Sequence, residues 1–245
     1  MYIFDFVKHF GLKYKCPICG YHSHDLMPIG NDLPVIKEKH IIGAGLRKGG
    51  CYKCGALDRF KLIYTFLKYE LNIFKDKSKK ILHFAPETII AQKFIEANFQ
   101  NYIQADFFAE DQHCEYNDNV KHMDVQNIPY TDNTFDLILC NHVLEHVPND
   151  QKALQEIYRV LKKDGLAILQ VPISKTESKT LENLNVTSEQ ERERLFGQKD
   201  HVRLYGQDYI YRLETAGFKV QSLNLFPKYP KFGLNPEEKL FICTK

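Results

Sequence analysis

The stretch from Thr134 to Ile173 constrains the fold more than any other part of the chain. Its first apolar run, residues 137–140, lacks alternation and is typical of a parallel strand that is covered on both faces. Apolar side chains then recur at helical spacing: Leu154, Ile157, Tyr158 and Leu161. Gly165 follows lysines where this helix is expected to stop, and a second apolar run comes next. Such a β-α-β unit places the loop after its first strand at the edge where open α/β sheets bind ligands.

The motifs of this stretch resemble those of class I S-adenosylmethionine (SAM) dependent methyltransferases of the type 11 kind, a group that includes the ubiquinone-pathway enzymes. The resemblance rests on FD at the start of the strand, LEHV after it and RVLK-x-x-G at the end of the helix, and it runs from about Lys80 to the C-terminus. It implies an α/β fold with a Rossmann-like, seven-stranded sheet and helices on both faces. It also implies SAM as cofactor and methyl transfer as activity, but it does not specify the acceptor.

Two matching cysteine knuckles precede this region: Cys16 and Cys19, then Cys51 and Cys54, each pair followed by a glycine. Paired CxxC knuckles in a chain without a secretory signal favour tetrahedral Zn²⁺ over disulfides. Four protein ligands close the coordination sphere, so we predict a structural zinc ion. Two alternatives stay open: a nearby histidine replaces one thiolate, or the zinc segment recognises a substrate or a nucleic acid.

The chain therefore divides into a zinc-binding segment, 1–57, and a methyltransferase domain, 58–245, with an insertion or lid at about 174–206. Apolar spacing predicts a helix from Asp58 to Phe74 with Asp58 as its cap, which leads into the sheet. The final strand, Lys239 to Cys243, is expected to be the antiparallel edge of that sheet.

The composition of the chain limits the classes of molecule that we expect the protein to bind. A formal net charge of +2 gives no general attraction for nucleic acid or anionic membranes, so we expect a small-molecule acceptor instead. No apolar run approaches the length of a membrane-spanning helix. The aromatic start of the chain is interrupted by Asp5, Lys8 and His9 and does not resemble a secretory signal, which predicts a cytoplasmic protein.

The segment 81–87, ILHFAPE, stands where the resemblance implies a glycine-rich cofactor loop. A dinucleotide needs such glycines for its pyrophosphate, which argues against NAD(P) and nucleoside triphosphates, whereas SAM carries no phosphate. Ala85 is small enough for close approach, and Glu87 can attract the cationic groups of SAM, although simple helix initiation explains Glu87 equally well. The resemblance implies that Asp106 binds the ribose hydroxyls and Asp124 the adenine amino group; an exposed turn residue is the alternative for Asp124. The full predicted cofactor set is His83, Ala85, Glu87, Asp106, Asp124 and Asn141.

Three histidines are candidates for the catalytic base, because a hydroxyl acceptor must lose a proton and imidazole has a suitable pKa: His142, His146 and His201. Arg203 and Tyr205 follow His201, and we predict that they bind the acceptor, with Arg203 suited to a carboxylate or phosphate. The loop 142–146 also resembles the metal-binding loop of ubiquinone-pathway and small-RNA methyltransferases. That resemblance implies a second divalent ion at Glu145, His146 and His201, against the simpler interpretation that they buttress the loop.

These features together predict a SAM-dependent methyltransferase that acts on a hydroxyl of a small polar acceptor such as a sugar or polysaccharide precursor. Two alternatives remain: a non-catalytic zinc-ribbon binding module on a degenerate Rossmann body, and an RNA methyltransferase whose zinc segment grips the substrate. Salt-dependent binding to RNA or DNA would favour the nucleic-acid alternatives.

Overall fold

The computed structural model describes residues 5–107 and 119–245. For residues 107–119 the sequence predicts a polar loop or a poorly formed helix, and most of this segment lies outside the described residues. The front part of the chain consists of short elements. In chain order they are α1 (Asp5–Lys8), β1 (Phe10–Lys15), β2 (His22–Ser23), β3 (Met27–Ile29), α2 (Pro34–Glu38), β4 (Ile41–Ile42) and β5 (Arg47–Gly50). β1 pairs with β2 and β3 with β5, both antiparallel, so two small hairpin-like sheets carry this segment.

Longer elements follow, and they alternate as the β-α-β pattern predicts. They are α3 (Asp58–Thr65), continued by a π-helical turn (Phe66–Glu70) and a 3-10 turn (Ile73–Lys75), then β6 (Ile81–Phe84), α4 (Thr88–Glu96), β7 (Tyr102–Asp106), β8 (Val120–His122), β9 (Phe135–Asn141), α5 (Asp150–Val160) and β10 (Leu161–Gln170). The C-terminal part contains β11 (Ile173–Ser174), β12 (Leu181–Glu182), α6 (Glu189–Phe196), β13 (Arg203–Leu204), α7 (Tyr209–Thr215), β14 (Lys219–Leu223), a 3-10 turn (Pro230–Phe232) and β15 (Leu240–Thr244).

The central sheet has seven strands in the order β14-β15-β10-β9-β6-β7-β8, which confirms the predicted seven-stranded, Rossmann-like sheet. β8, β7, β6, β9 and β10 are parallel, whereas β15 runs antiparallel between β10 and β14. The prediction that the last strand forms the edge was therefore wrong. β14 lies at the edge, and β15 inserts beside β10 because its residues 240–243 are fully apolar and buried.

The sheet separates two layers of core, as expected for strands that are covered on both faces. Successive residues of β9 point to opposite sides: Leu137 and Leu139 belong to one apolar cluster, Ile138 and Cys140 to the other. α5 packs on the second side, while α3 and α4 pack on the first. The apolar run at residues 137–140, which constrains the fold most in the sequence, thus lies in the middle strand of the sheet.

Asp58 does not cap α3, contrary to the prediction. The helix has Leu57 at its N-cap and no side-chain cap, and Asp58 is its first residue. The Asp58 carboxylate instead accepts two hydrogen bonds from Arg47, at 2.6 Å from Nε and 2.8 Å from Nη2. Charge-assisted bidentate bonds are about twice as strong as neutral ones, so the arginine fork fixes this carboxylate, which also accepts from the backbone N–H of Arg59 at 2.9 Å.

The front segment packs onto the body of the molecule. Cys16 and Cys51 share an apolar cluster with Leu62 of α3 and with the sheet. β4 pairs antiparallel with β11, and Lys39 makes an ion pair of 2.6 Å with Glu177. The insertion also contacts it: residues of α2 and α6 bury a small cluster formed by Val35, Ile36, Ile41, Phe196 and Leu204. Among the described helices, none is both long and apolar enough to cross a membrane.

Candidate active site at the carboxyl edge of the sheet

The strand order reverses at β6, which lies between β7 and β9. In open α/β sheets, the crevice at such a reversal is where ligands bind, at the carboxyl ends of the strands. The register pairs Phe84 of β6 with Ala105 of β7 and with Cys140 of β9. The residues that follow on the three strands, Ala85, Asp106 and Asn141, therefore lie side by side at the mouth of this crevice.

The backbone is strained at two points of this mouth. Ala85 has φ 43° and His142 has φ 55°, so both non-glycine residues adopt the left-handed region directly after a strand. Such conformations cost about 1–3 kcal/mol each and persist where the surrounding structure over-determines them, often at ligand sites. Hydrogen bonds hold both residues in place: Ala85 N–H donates to Ala105 O at 2.9 Å, and His142 N–H donates to Gln170 O at 2.7 Å.

Glu87 and Asn141 bring buried polar atoms without partners to this mouth. Asn141 is 3% exposed, and within the described residues neither its amide nitrogen nor its oxygen has a hydrogen-bond partner. Glu87 bonds His83 Nε2 at 2.7 Å through Oε2, but its Oε1 is buried and without a partner. Buried polar groups are normally satisfied, so these atoms are candidates for contact with a bound molecule at this mouth.

His83 lies behind the site and not in it. Its ring is fully buried between Tyr102 OH at 2.8 Å and Glu87 at 2.7 Å, which makes it a support for Glu87. Burial opposes ionisation of Glu87, but the bond and charge of His83 outweigh it, so the pKa of Glu87 lies below its usual value. Glu87 therefore presents a negative charge to the crevice.

Asp106 and Asp124 take different positions. Asp106 is the buried last residue of β7, and its carbonyl accepts from Met123 N–H at 2.9 Å. Asp124 follows β8 and accepts from Gln126 N–H at 2.8 Å, which closes a local turn. The side-chain amide of Gln126 also donates to both oxygens of Asp124, at 3.3 and 3.4 Å, so Gln126 is the partner of this carboxylate among the described residues.

His142 and Glu145 form a pair at the edge of the crevice. Nδ1 of His142 lies 3.4 Å from Glu145 Oε1, while His142 Nε2 is buried and has no partner among residues 5–107 and 119–245. Glu145 is 1% exposed; burial opposes its ionisation, but His142 and the two other histidines lower the pKa of Glu145 to about 2. A carboxylate on Nδ1 fixes the tautomer that leaves Nε2 free to accept a proton.

The other two predicted catalytic histidines lie beside this pair. Ligand atoms of Glu145, His146 and His201 all fall within 4.8 Å of one another, and the rings of His146 and His201 meet edge to face at 4.7 Å. His146 Nδ1 also lies 3.3 Å from Asp200. Two imidazoles and one carboxylate are a donor set that suits Zn²⁺, Fe²⁺ or Mn²⁺. The structure thus brings together all three histidines that the sequence singled out.

A cavity of about 400 Å³ opens in front of these histidines. Its walls come from four parts of the chain: the glycine-rich front segment, the start of α3, the loop after β9 and the insertion. Residues that represent these parts are Gly43, Arg47, Arg59, His142, Glu145 and Phe196. Small-molecule sites typically have volumes of about 300–1,000 Å³, so this cavity has room for a small acceptor.

Arg203 and Tyr205 do not reach this cavity. Arg203 is 1% exposed and donates to the carbonyls of Leu144, Val147 and Pro148 and to Glu182, so its fork is fully engaged. Tyr205 is completely buried and donates to Asp150 Oδ2 at 2.9 Å. Both side chains hold the loop that carries Glu145 and His146; the structure does not support their prediction as acceptor-binding residues.

The four knuckle cysteines form a second site away from the crevice. The sulphur atoms of Cys16 and Cys54 are 3.8 Å apart, and those of Cys19 and Cys51 are 3.7 Å apart. A tetrahedral zinc ion with bonds of about 2.3 Å separates its sulphur ligands by about 3.8 Å. The geometry therefore fits four-cysteine coordination without a histidine.

The knuckles themselves are built alike. Gly20 N–H donates to Cys16 O at 3.0 Å and Gly55 N–H donates to Cys51 O at 2.9 Å. Both glycines have positive φ, 74° and 72°, which lets each turn close around the sulphurs. Lys61 is buried near three of the cysteines; burial lowers the pKa of its ammonium group, and the negative charges of these cysteines and of Asp58 oppose that shift.

Comparison with known proteins shows what the central region resembles. Residues 84–169 match the family model described as a methyltransferase domain. Over these residues the chain is similar to methyltransferase domains. The matched residues begin at the end of β6 and finish near the end of β10, and they include the crevice and the His142–Glu145 pair.

A SAM-dependent methyltransferase from Archaeoglobus fulgidus has a similar fold, with a TM-score of 0.50 at 15% identity; the alignment covers 76% of this chain and 94% of that one. An uncharacterised protein of Methanocaldococcus jannaschii is 55% identical over 47 residues, 19% of this chain and 20% of its own length. A demethylmenaquinone methyltransferase of Lactobacillus johnsonii is 46% identical over 46 residues, 19% of each protein. The chain thus spans about a fifth of the length of these two relatives.

The front wall of the cavity was not predicted from the sequence. Gly43, Gly45 and Arg59 line the space opposite the histidines, although they lie about a hundred residues earlier in the chain than the loop after β9. Nothing in their local pattern distinguishes them from a linker. The pairing of β4 with β11 brings them there, and a two-residue strand has no usable periodicity.

Proposed function

We propose that the protein is a SAM-dependent methyltransferase. The observation that carries this proposal is the set of unpartnered buried atoms of Asn141 and Glu87 at the switch point of a methyltransferase-type sheet. They suit the charged amino-acid end of SAM, which offers both donors and acceptors. Asp106, at the end of the second parallel strand, is the proposed partner of the ribose hydroxyls, and Asp124 that of the adenine amino group.

The bound cofactor supplies an activated methyl group, and the protein aligns the acceptor with it. We propose that His142 removes the proton of the acceptor, since its Nε2 is free and its Nδ1 faces Glu145. Glu145 orients the ring and stabilises the imidazolium that forms. Ala85, in its left-handed conformation, keeps a side chain of one carbon next to the cofactor space.

The acceptor is proposed to be a small molecule with a reactive hydroxyl, such as a sugar or a polysaccharide precursor. The cavity volume of about 400 Å³ supports a small acceptor, and a base beside it supports an acidic or hydroxyl group. The relative from Lactobacillus johnsonii is named for demethylmenaquinone, so a quinone-like acceptor is the natural competitor in any screen.

A divalent ion at Glu145, His146 and His201 is proposed as a second cofactor. The specific support is the convergence of these three side chains on one side of the cavity, with Glu145 Oε2 buried and unpartnered in the described structure. Such an ion would sit next to the acceptor space and lower the pKa of a hydroxyl bound to it.

The four-cysteine site is proposed to hold a structural Zn²⁺. The front segment has too few apolar residues of its own for a core, and its cysteines are part of the core beneath α3. We propose that residues 1–57 form this zinc segment, that 58–245 form the catalytic domain and that 174–206 act as the lid. The lid role is supported by contacts of Phe196 and His201 with the cavity.

Calorimetric titration with SAM and with S-adenosylhomocysteine tests the proposal. We expect micromolar binding, and an Asp106→Asn variant should bind about tenfold to a hundredfold more weakly, because it loses charge-assisted hydrogen bonds of about 1.5–3 kcal/mol. Asp164→Asn, on the exposed start of β10, is the matched control and should bind like wild type. If the folded, zinc-loaded protein binds neither ligand, the enzyme proposal fails and a zinc-bearing binding module takes its place.

A further inference from the structure

Arg47 and Arg59 both line the cavity, but their guanidinium groups differ in the hydrogen bonds that they make within the protein. The fork of Arg47 is occupied by Asp58, at 2.6 and 2.8 Å, and its remaining nitrogen donates to Gly45 O at 3.0 Å. Arg47 is therefore neutralised and satisfied within the protein. It holds the glycine-rich wall in place, and each of its three side-chain nitrogens already has a partner within the protein.

The guanidinium of Arg59 has no such partner. Its backbone N–H donates to Asp58 Oδ1 at 2.9 Å, but across the described parts of the chain no ion pair involves its side chain, and its Nε is buried without a hydrogen bond. Asp58 Oδ1 already accepts from Arg47 and from the backbone N–H of Arg59, and within the described residues no hydrogen bond joins this carboxylate to the Arg59 side chain. A buried donor without an acceptor is unfavourable and is expected to find one in a ligand.

One other carboxyl group lies near enough to interact with Arg59. Glu238 is 3% exposed; burial, reinforced by the charge of Asp58, raises its pKa and favours its neutral form. Gln170 donates to Glu238 Oε1 at 3.4 Å, which ties this carboxyl to the end of β10. Glu238 is not among the residues that line the cavity, so it leaves the charge of Arg59 available to a ligand there.

The rest of the cavity shows what kind of ligand fits. Histidines line the side where the proposed methyl transfer occurs, while Ile36, Ile41 and Phe196 make other parts of the wall apolar. An oxyanion bound at Arg59 would be anchored at the start of α3, away from the loop that carries the histidines. Arginine suits this role because its fork matches the two oxygens of a carboxylate or phosphate.

We propose that Arg59 binds a carboxylate or phosphate group of the methyl acceptor, so that the acceptor is an anionic molecule and not a neutral sugar. This inference rests on the proposed methyltransferase function, because it names the acceptor class of that same cavity. The sequence had suggested Arg203 as the residue that binds the oxyanion. In the structure Arg203 donates to the carbonyls of Leu144, Val147 and Pro148, and we assign the role to Arg59 instead.

Titration of inorganic phosphate and of acetate into the zinc-loaded, full-length protein at low ionic strength tests the inference. We expect wild type to bind at least one of them, and Arg59→Gln to weaken that binding by at least about tenfold, because a charge-assisted bidentate contact is lost. Arg59→Lys keeps the charge without the fork and should fall between the two. Lys48→Gln, an exposed cation two strand residues before the buried Gly50, is the matched control and should change binding less than about twofold.

The two arms separate the sources of the oxyanion. Stronger binding of phosphate points to a phosphorylated acceptor, and stronger or equal binding of acetate points to a carboxylic acid. Absence of binding by wild type, or equal binding by wild type and Arg59→Gln, overturns the inference. Titration of S-adenosylhomocysteine into the same samples keeps the two proposals distinct: its failure in wild type removes the methyltransferase proposal, whereas its success with an indifferent Arg59 removes only the anionic acceptor.

Discussion

Replacement of Arg203 distinguishes a residue that binds substrate from one that holds the protein together. The side chain is 1% exposed and spans the insertion and the loop after β9, where it donates to three backbone carbonyls and to Glu182. Arg203→Met keeps most of the aliphatic volume but removes every donor. The substitution is therefore a test of the hydrogen bonds with little change in packing.

The loss of stability in Arg203→Met depends on which backbone carbonyls are left without a hydrogen-bond donor. The Leu144 carbonyl retains the Val147 N–H at 3.3 Å as a donor, so the carbonyls of Val147 and Pro148 are the ones that lose a partner. Val147 is buried, and a buried acceptor without a partner costs about 1–3 kcal/mol, whereas Pro148 is exposed and its carbonyl can accept from water. The free energy of unfolding should therefore fall by about 1–3 kcal/mol. Glu182 is 41% exposed, and its lost ion pair adds little.

Urea unfolding followed by far-ultraviolet circular dichroism measures this change, with the zinc-loaded protein used throughout. The urea concentration at the midpoint of the transition should fall, whereas the dependence of the unfolding free energy on urea should not change. Unfolding exposes a similar surface area in both proteins. Arg194→Met on α6 is the control: its ion pair with Glu191 is exposed, so its loss should cost less than about 0.5 kcal/mol. If Arg203→Met is as stable as this control yet has a raised KM for the acceptor, the structural reasoning is refuted and the substrate-binding interpretation returns.

Three further predictions concern separate parts of the molecule. Cys51→Ser should release zinc and unfold the front segment; metal content and circular dichroism measure this, and a zinc-free protein with an unchanged spectrum would contradict it. Mn²⁺ should bind once to zinc-loaded wild type and not to His201→Gln in calorimetry, whereas equal binding would remove the second ion. The hydrogen bond from Arg159 lowers the pKa of Glu156 in the folded state. Glu156 therefore stabilises the fold at pH values above its unfolded pKa near 4.5, and this contribution is lost as the pH falls through the lower pKa of the folded state. Glu156→Gln should therefore cost about 1 kcal/mol at pH 7 and progressively less as the pH falls below 4.5, and a pH-independent difference would refute the assignment.

The parts of the fold that could be predicted from sequence are those with their own periodicity. About ten residues of sequence suffice to predict each of three features: the buried strand β9, the amphipathic helix α5 and the cysteine knuckles. A strand that is buried on both faces, a helix with one apolar face and a metal-binding turn each have a distinct local pattern. The position of β15 could not be read in this way. An apolar strand pairs equally well at an edge or inside a sheet, and only contact with both β10 and β14 decides it.

The site was predicted unevenly for the same physical reason. His142, Glu145 and His146 lie on one short loop, so their proximity follows from the chain, and His201 joins them because Val202 N–H bonds Glu145 O at 2.9 Å. Residue type alone, however, does not distinguish a buried arginine from a ligand-binding one. Arg203 and Arg59 have identical chemistry, and the difference lies in whether surrounding carbonyls or carboxylates consume their donors.

The zinc segment and the acceptor cavity are connected through α3. The same short stretch that follows the second knuckle carries Asp58, which fixes Arg47 and the glycine-rich wall, and Arg59, which faces the cavity. Cys51 and Leu62 share one apolar cluster, so the position of the cysteines determines where this helix begins. A structural zinc ion would therefore hold one wall of the acceptor cavity, because the start of α3 cannot move without moving that wall.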